Sequence, residues 1–229
     1  MIDGPAGAGK STTAMEVARQ TGFDYVDSGA IYRGFTYLYL LNDRDRSRLQ
    51  NVLNEHGLHF DFYITEARVF LGNRDITSDI RTDKVNDHVS EVAAMPEVRD
   101  TVRRILRDLS RDRDVVMEGR DLGTVVFPNA EYKFFLTADT TERARRRYDE
   151  RIKKGEQVSF EEIRRNVERR DRIDSTRDIA PLKKADDAIT IDSTSLTFEE
   201  QVARILNYVR NIPADEKQLS ADKKQHNKH

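Results

Sequence analysis

Cysteine is absent from the 229 residues, which removes disulfides, thiolate zinc sites and a thiol nucleophile together. No apolar run approaches the roughly 18–20 residues that a membrane helix needs. A basic start followed by an apolar block is missing too, so neither secretion nor membrane anchoring is expected and a soluble, cytoplasmic protein is. Aromatic residues are sparse at 8%, and the net charge is only −2. That pair of scarcities argues against a broad nucleic-acid footprint, which needs basic excess and stacking surfaces. The 37% of hydrophobic residues is still enough to build a core for one domain of ordinary size.

What is abundant is charge of both signs, 35% of the chain. Of the 39 basic residues 28 are Arg, and 18 of these fall between Arg99 and Arg177. Part of this set alternates with acids as solvated helix faces do. The preference for Arg over Lys points further, to bidentate binding of phosphate or carboxylate on a small polyanion.

Periodicity divides the chain into alternating elements. A strand stub, a loop, a helix over about 10–20, a strand at 24–26 and a helix from Ser28 open it; Ala14, Val17 and Ala18 fall at helical spacing before Thr21-Gly22. From about 42 to 83 short alternating runs, Leu58–Phe62 and Ala67–Leu71, precede the turn signal Gly72-Asn73 and predict a small β-rich insertion. Helical pattern returns over 84–111, with Pro96 at a first-turn position separating two helices. Buried strands at 115–117 and 132–136, helices at 140–153 and 159–175, a strand at 188–191 and a helix at 197–210 follow. Strands alternating with helices predict an α/β fold, a parallel sheet with helices on both faces. Residues 213–229 read as a loose polar tail. Only Met1 and Ile2 precede Asp3, short for a buried first strand, so the numbering is expected to begin inside that strand.

Gly4-Pro5-Ala6-Gly7-Ala8-Gly9-Lys10-Ser11 matches G-x-x-x-x-G-K-[ST] in full. Glycines let successive backbone N–H groups converge on phosphate oxygens, and the helix N-terminus adds its positive dipole end. Lys10 can reach β/γ-phosphates, and the Ser11 hydroxyl can ligate Mg²⁺. Nucleotide binding follows, but not yet a reaction. An Asn-Lys-x-Asp guanine reader is absent, and Val115-Val116-Met117-Glu118 only faintly imitates the metal-binding strand of motor ATPases. A small-molecule kinase accounts for more: residues 143–177 hold 11 Arg, the composition of a lid closing over phosphates. Arg170, Asp174 and Arg177 lie at i, i+4 and i+7, on one helical face. His56 and His59 are too isolated for a metal site.

The chain resembles the bacterial cytidylate kinase family. The likeness is carried by Ile2 through Thr12, by Asp27-Ser28-Gly29-Ala30-Ile31-Tyr32-Arg33, and by Glu118-Gly119-Arg120-Asp121 through Pro128. Arg170-Asp171 with Asp174, Arg177 and Ala180-Pro181-Leu182 extends it, as does Ile189 through Thr194. The resemblance runs in order from residue 2 to about 210. It implies a P-loop NTPase fold with a five-stranded parallel sheet in one domain, 1–212, carrying a nucleoside-monophosphate-binding insertion (about 42–83) and an Arg-rich lid (about 143–177). It also implies ATP bound by Gly4, Pro5, Ala6, Gly7, Ala8, Gly9, Lys10, Ser11 and Thr12. The acceptor phosphate falls to Ser28, Arg33, Arg120 and Arg177, cytosine to Ser90, Arg99 and Asp121, and the pentose to Arg170 and Asp174. Lys10, Arg33, Arg120 and Arg177 would act in catalysis, with Mg²⁺ as cofactor held at Ser11. The expected reaction is transfer of the ATP γ-phosphoryl to CMP or dCMP, by a monomer binding neither nucleic acid nor membrane. Alternatives are a P-loop kinase for UMP or another small phosphorylated acceptor, an Arg-rich nucleic-acid module, and an inactive nucleotide sensor.

Overall fold

The computed structural model describes residues 1–55, 57–62 and 67–210; His56 and the polar stretch 213–229 lie outside them. Strand β1 (Ile2–Asp3) leads through a loop into α1 (Lys10–Thr21), β2 (Asp24–Asp27) and α2 (Ser28–Leu41). Next come α3 (Leu49–Asn54) and three antiparallel strands, β3 (Leu58–Phe62), β4 (Ala67–Leu71) and β5 (Arg74–Asp75). The remaining order is α4 (Asp83–Val92), α5 (Pro96–Leu109), β6 (Val115–Gly119), β7 (Phe134–Thr137), α6 (Thr140–Lys153), α7 (Phe160–Thr176), β8 (Ile189–Asp192) and α8 (Phe198–Arg210).

Local chemistry sets many of these bounds. Gly22, at φ 74°, closes α1 in the left-handed conformation that a side chain disfavours. The Asp27 carboxylate caps α2 by accepting from the Ala30 N–H at 2.9 Å. Pro96 begins α5, where its missing N–H costs nothing. Ser159 and Glu162 form a reciprocal capping box at the start of α7.

The main sheet is wholly parallel, in the order β2-β6-β1-β7-β8. Successive strand residues point to opposite faces, and this alternation sorts the helices. Tyr25, Val116 and Phe134 join a core with Ala14 and Val17 of α1 and Ile205 of α8. Val26 and Met117 join the other core, with Ile31 and Phe35 of α2 and Val98 and Val102 of α5. Helices therefore cover both faces, the doubly covered parallel arrangement of P-loop NTPases. β1 is the middle strand: Ile2 pairs with Glu118 on one side and Phe134 on the other. β7 starts at Phe134 rather than at Tyr132. β8 follows that register, Ile189 opposite Phe134. The stretch 42–83 contains the small sheet and also α3 and short 3₁₀ turns at Arg46–Arg48 and Asp79–Arg81. No described helix is long and apolar enough to cross a membrane.

Candidate active site

The loop between β1 and α1 is held open by sterics. A Cβ on Gly4 would lie 1.9 Å from the Leu136 carbonyl oxygen, so only glycine fits against β7. Gly9 caps α1 at φ 83° without a side-chain acceptor, leaving the first-turn N–H groups aimed at the loop's concavity. Thr12 and Thr13 donate their hydroxyls back to the Gly9 carbonyl at 3.0 and 2.8 Å, fixing the turn. The outer side of the loop is held by Arg143, whose guanidinium donates to the Ala6 carbonyl at 2.9 Å and pairs with Asp171 at 2.7 Å. Lys10 folds under the loop and donates to the Pro5 carbonyl at 2.7 Å. Burial, with Arg120 next in weight, lowers its pKa to about 7.

Opposite the loop, three elements deliver polar groups to the same cleft. From the β2–α2 junction, Asp27 accepts from Arg33 Nη2 at 2.7 Å while capping the helix. Ser28 donates to the Glu118 carbonyl at 2.6 Å, joining that junction to the end of β6. From β6 and the residues after it, the Glu118 carboxylate accepts the buried Tyr25 hydroxyl at 3.1 Å, and Arg120 Nε donates to Asp174 of α7 at 3.1 Å. Asp121 receives Arg99 on one oxygen and Arg177, at 3.5 Å, on the other. Arg177 in turn donates to the carbonyl of Ala180 at 2.7 Å, and Ala180 holds the left-handed φ of 48°. A non-glycine residue in that conformation is strained, and its carbonyl is one of the acceptors that hold the Arg177 guanidinium.

The cleft measures about 630 Å³ and is lined by ten basic and seven acidic side chains. The imbalance is concentrated. Arg147 and Arg170 are both held below the usual arginine range, first by burial and then by other cations: Arg170 falls to about 9, with Arg147 and Arg120 contributing, and Arg147 is lowered further by Arg120, Arg151 and Arg33 against the opposing pull of Glu150. Arg33 Nε and Arg170 Nε are buried without a hydrogen-bond partner. Unsatisfied buried donors among crowded guanidinium groups are costly, and anionic oxygens are the ligands that relieve both costs.

Of the site residues expected from sequence, Gly7, Gly9, Lys10, Ser11, Thr12, Ser28, Arg33, Ser90, Arg120, Asp121, Arg170, Asp174 and Arg177 line this one cleft. Gly4, Pro5, Ala6 and Ala8 form the base of the loop. Arg99 does not line the cleft. It lies behind Asp121, donating also to the Ala93 carbonyl at 3.1 Å, with its guanidinium 5.8 Å from the Tyr32 ring centre. Asp27, Glu118 and Arg147 line the cleft without having been singled out as ligand residues. For Asp27 the signal is its cap position five residues before Tyr32-Arg33; Arg147 belongs, with Arg143 and Arg146, to the lid arginines that the sequence marks only as a group.

The family model for cytidylate kinase matches residues 1–211. The cytidylate kinase of Carboxydothermus hydrogenoformans is 45% identical over 211 residues, covering 91% of this chain and 95% of the relative. That of Bacillus licheniformis is 45% identical over 214 residues, 91% and 94% of the two chains. That of Halalkalibacterium halodurans is 44% identical over 212 residues, 91% and 96%. With a phosphate loop facing a crowd of guanidinium groups and likeness along nearly the full length of these relatives, the chain belongs to the cytidylate kinase family.

Proposed function

We propose that this kinase transfers the γ-phosphoryl group of ATP to CMP or dCMP, giving ADP and CDP or dCDP. The observation that carries the reading is the shared cleft: the phosphate loop with Lys10 on one wall, and Arg33, Arg120, Arg170 and Arg177 on the other. Two phosphate groups must be brought together against their mutual repulsion. Fixed cations in a water-poor cleft are the physical means of doing so.

The Ser11 hydroxyl faces the cleft from the first turn of α1, and the described residues hold no cluster of three or more His, Asp or Glu that could cage an ion. That donor set fits Mg²⁺ carried by the nucleotide's own phosphates, with Ser11 as the protein ligand. Bound there, the ion supplies charge neutralisation of the β- and γ-oxygens. Lys10 swings from the Pro5 carbonyl to the same oxygens. Arg33, Arg120 and Arg177 orient the acceptor phosphate for in-line attack, and Arg147 from the α6–α7 lid meets the transferring group. No protein base is needed, because the acceptor phosphate is already largely ionised near neutral pH.

Base selection is assigned to Asp121 with Ser90, and Arg99 acts through Asp121. Burial pulls the Asp121 carboxyl upward, Arg99 and Arg177 pull it back and aim it, and its remaining lone pairs accept from the cytosine N4 amino group. Uracil presents an acceptor there and is repelled. Arg170 and Asp174 face the pentose. The insertion at 42–83 closes on the nucleoside monophosphate.

A coupled ADP-release assay with Mg-ATP and CMP, dCMP, UMP, AMP or GMP tests the reading. Turnover with CMP and dCMP well above UMP is expected. Equal or greater turnover with UMP removes the Asp121 readout, and activity on none of the five removes the acceptor assignment.

A further inference from the structure

We infer that Asp3 is a positioning residue that locks the Arg120-Asp121 segment to the phosphate loop, so that one side chain couples the two substrate sites. Asp3 ends β1 and immediately precedes Gly4, the first residue of the loop. It is 6% exposed, yet no basic side chain pairs with it among the described salt bridges. Its partners are two consecutive backbone N–H groups: Leu122 donates to Oδ1 at 3.0 Å and Gly123 to Oδ2 at 2.7 Å.

Those amides open the turn Leu122–Val126, a wide turn closed by the i to i+5 bond from Phe127 N–H to the Leu122 carbonyl, 2.7 Å. Asp121 stands at the cap position of this turn but does not cap it with its side chain. The Asp121 carboxylate is turned instead to Arg99 and Arg177. The capping task has passed to a carboxylate on the neighbouring strand. This division frees Asp121 for recognition, and the Asp3 carboxylate satisfies two buried N–H groups that the start of the turn leaves without a partner. The fit is close, since a Cβ on Gly123 would come within 3.4 Å of Asp3 Oδ2 and 3.1 Å of the Lys133 stem. Strand register aligns Asp3 with Gly119, so the same two residues of β1 that launch the phosphate loop also fix where Arg120 and Asp121 leave the sheet.

The kinetic half of the test rests on the reaction proposed above; the structural half does not. In the wild-type protein, amide hydrogen exchange at Leu122 and Gly123 is expected to be as slow as at Val116 and Met117. Fast exchange at both overturns the proposal. Asp3→Asn keeps the volume but turns an N–H toward one of the two donors. In this variant the two amides lose protection while β6 keeps it. Its kcat/KM for CMP falls about 10- to 100-fold and its preference for CMP over UMP narrows, because the recognition groups are displaced. KM for ATP moves by less than about threefold. A merely structural role lowers the melting temperature and leaves both KM values and the base preference unchanged; that result also overturns the proposal. Should Asp3→Asn fail to fold, the wild-type exchange measurement decides. Should wild-type protein fail to phosphorylate CMP, the reaction is wrong, and exchange alone still judges Asp3.

Discussion

Lys10 carries its ammonium beneath the phosphate loop with a pKa of about 7, against an ordinary 10.5. Between those values the unfolded chain holds more protons than the folded one, so this group makes stability rise with pH across that window. Below about pH 7 the ammonium is charged in both states and its burial cost is present in full. A polyphosphate laid over the loop reverses the balance, because an opposite charge favours the protonated form. ATP binding at pH 8 should therefore take up protons, read by calorimetry in two buffers of different ionisation enthalpy, and Lys10→Met should abolish the uptake. Arg33 raises a different question, that of shape. One arm pairs with Asp27 at 2.7 Å while Nε has no partner. Lysine keeps the charge and loses the fork. Arg33→Lys should reduce kcat/KM for the acceptor by about 100-fold with an unchanged circular dichroism spectrum; wild-type kinetics would remove Arg33 as a phosphate clamp.

The α6–α7 pair meets α4 across the mouth of the cleft through exposed or half-exposed ion pairs. Arg151 reaches Asp83 at 2.5 Å, and Arg169 and Asn166 both reach Asp87, at 3.1 and 2.9 Å. Such pairs add little to stability, but these tie α6 and α7 to α4 beside the cleft. The double variant Asp83→Ala/Asp87→Ala should change the melting temperature little. It should raise KM for both substrates and flatten the dependence of KM on salt; an unaltered salt profile would show that the pairs do not gate the cleft. These contacts were invisible in the sequence, since nothing local links position 83 to 151. What was legible followed from local rules. The phosphate loop was written in spacing, α1 in its 3.6-residue pattern and closing glycine, and α5 in Pro96. The short α3 was not, because six residues without a capping side chain carry no periodic signal. The pairing of Arg99 with Asp121 is not legible either, because helical periodicity gives a face and not a partner. Asp3 carries no signal of its own, because a lone acid before a glycine loop has no partner within reach along the chain.

At the scale of the molecule, the two cores on either face of the sheet decide whether the cleft exists at all. Phe35 is fully buried in the face that carries α2, two residues beyond Arg33. Phe35→Ala should cost about 3–5 kcal/mol, read as a lower urea midpoint, and should weaken acceptor binding along with the fold. A variant with wild-type stability would mean that this face repacks freely. The sheet order has another consequence. Ile2 can complete its pairing only against Glu118 and Phe134, and these strands flank it on both sides. The phosphate loop is therefore anchored at its base only when β6 and β7, both distant along the chain, lie on either side of β1. Helices need no such closure, whereas seating the central strand joins segments far apart along the chain and carries a large loop-closure entropy. The loop that grips the nucleotide thus takes its shape from strands far along the chain, and a chain in which β1 has not docked between them has no formed site to occupy.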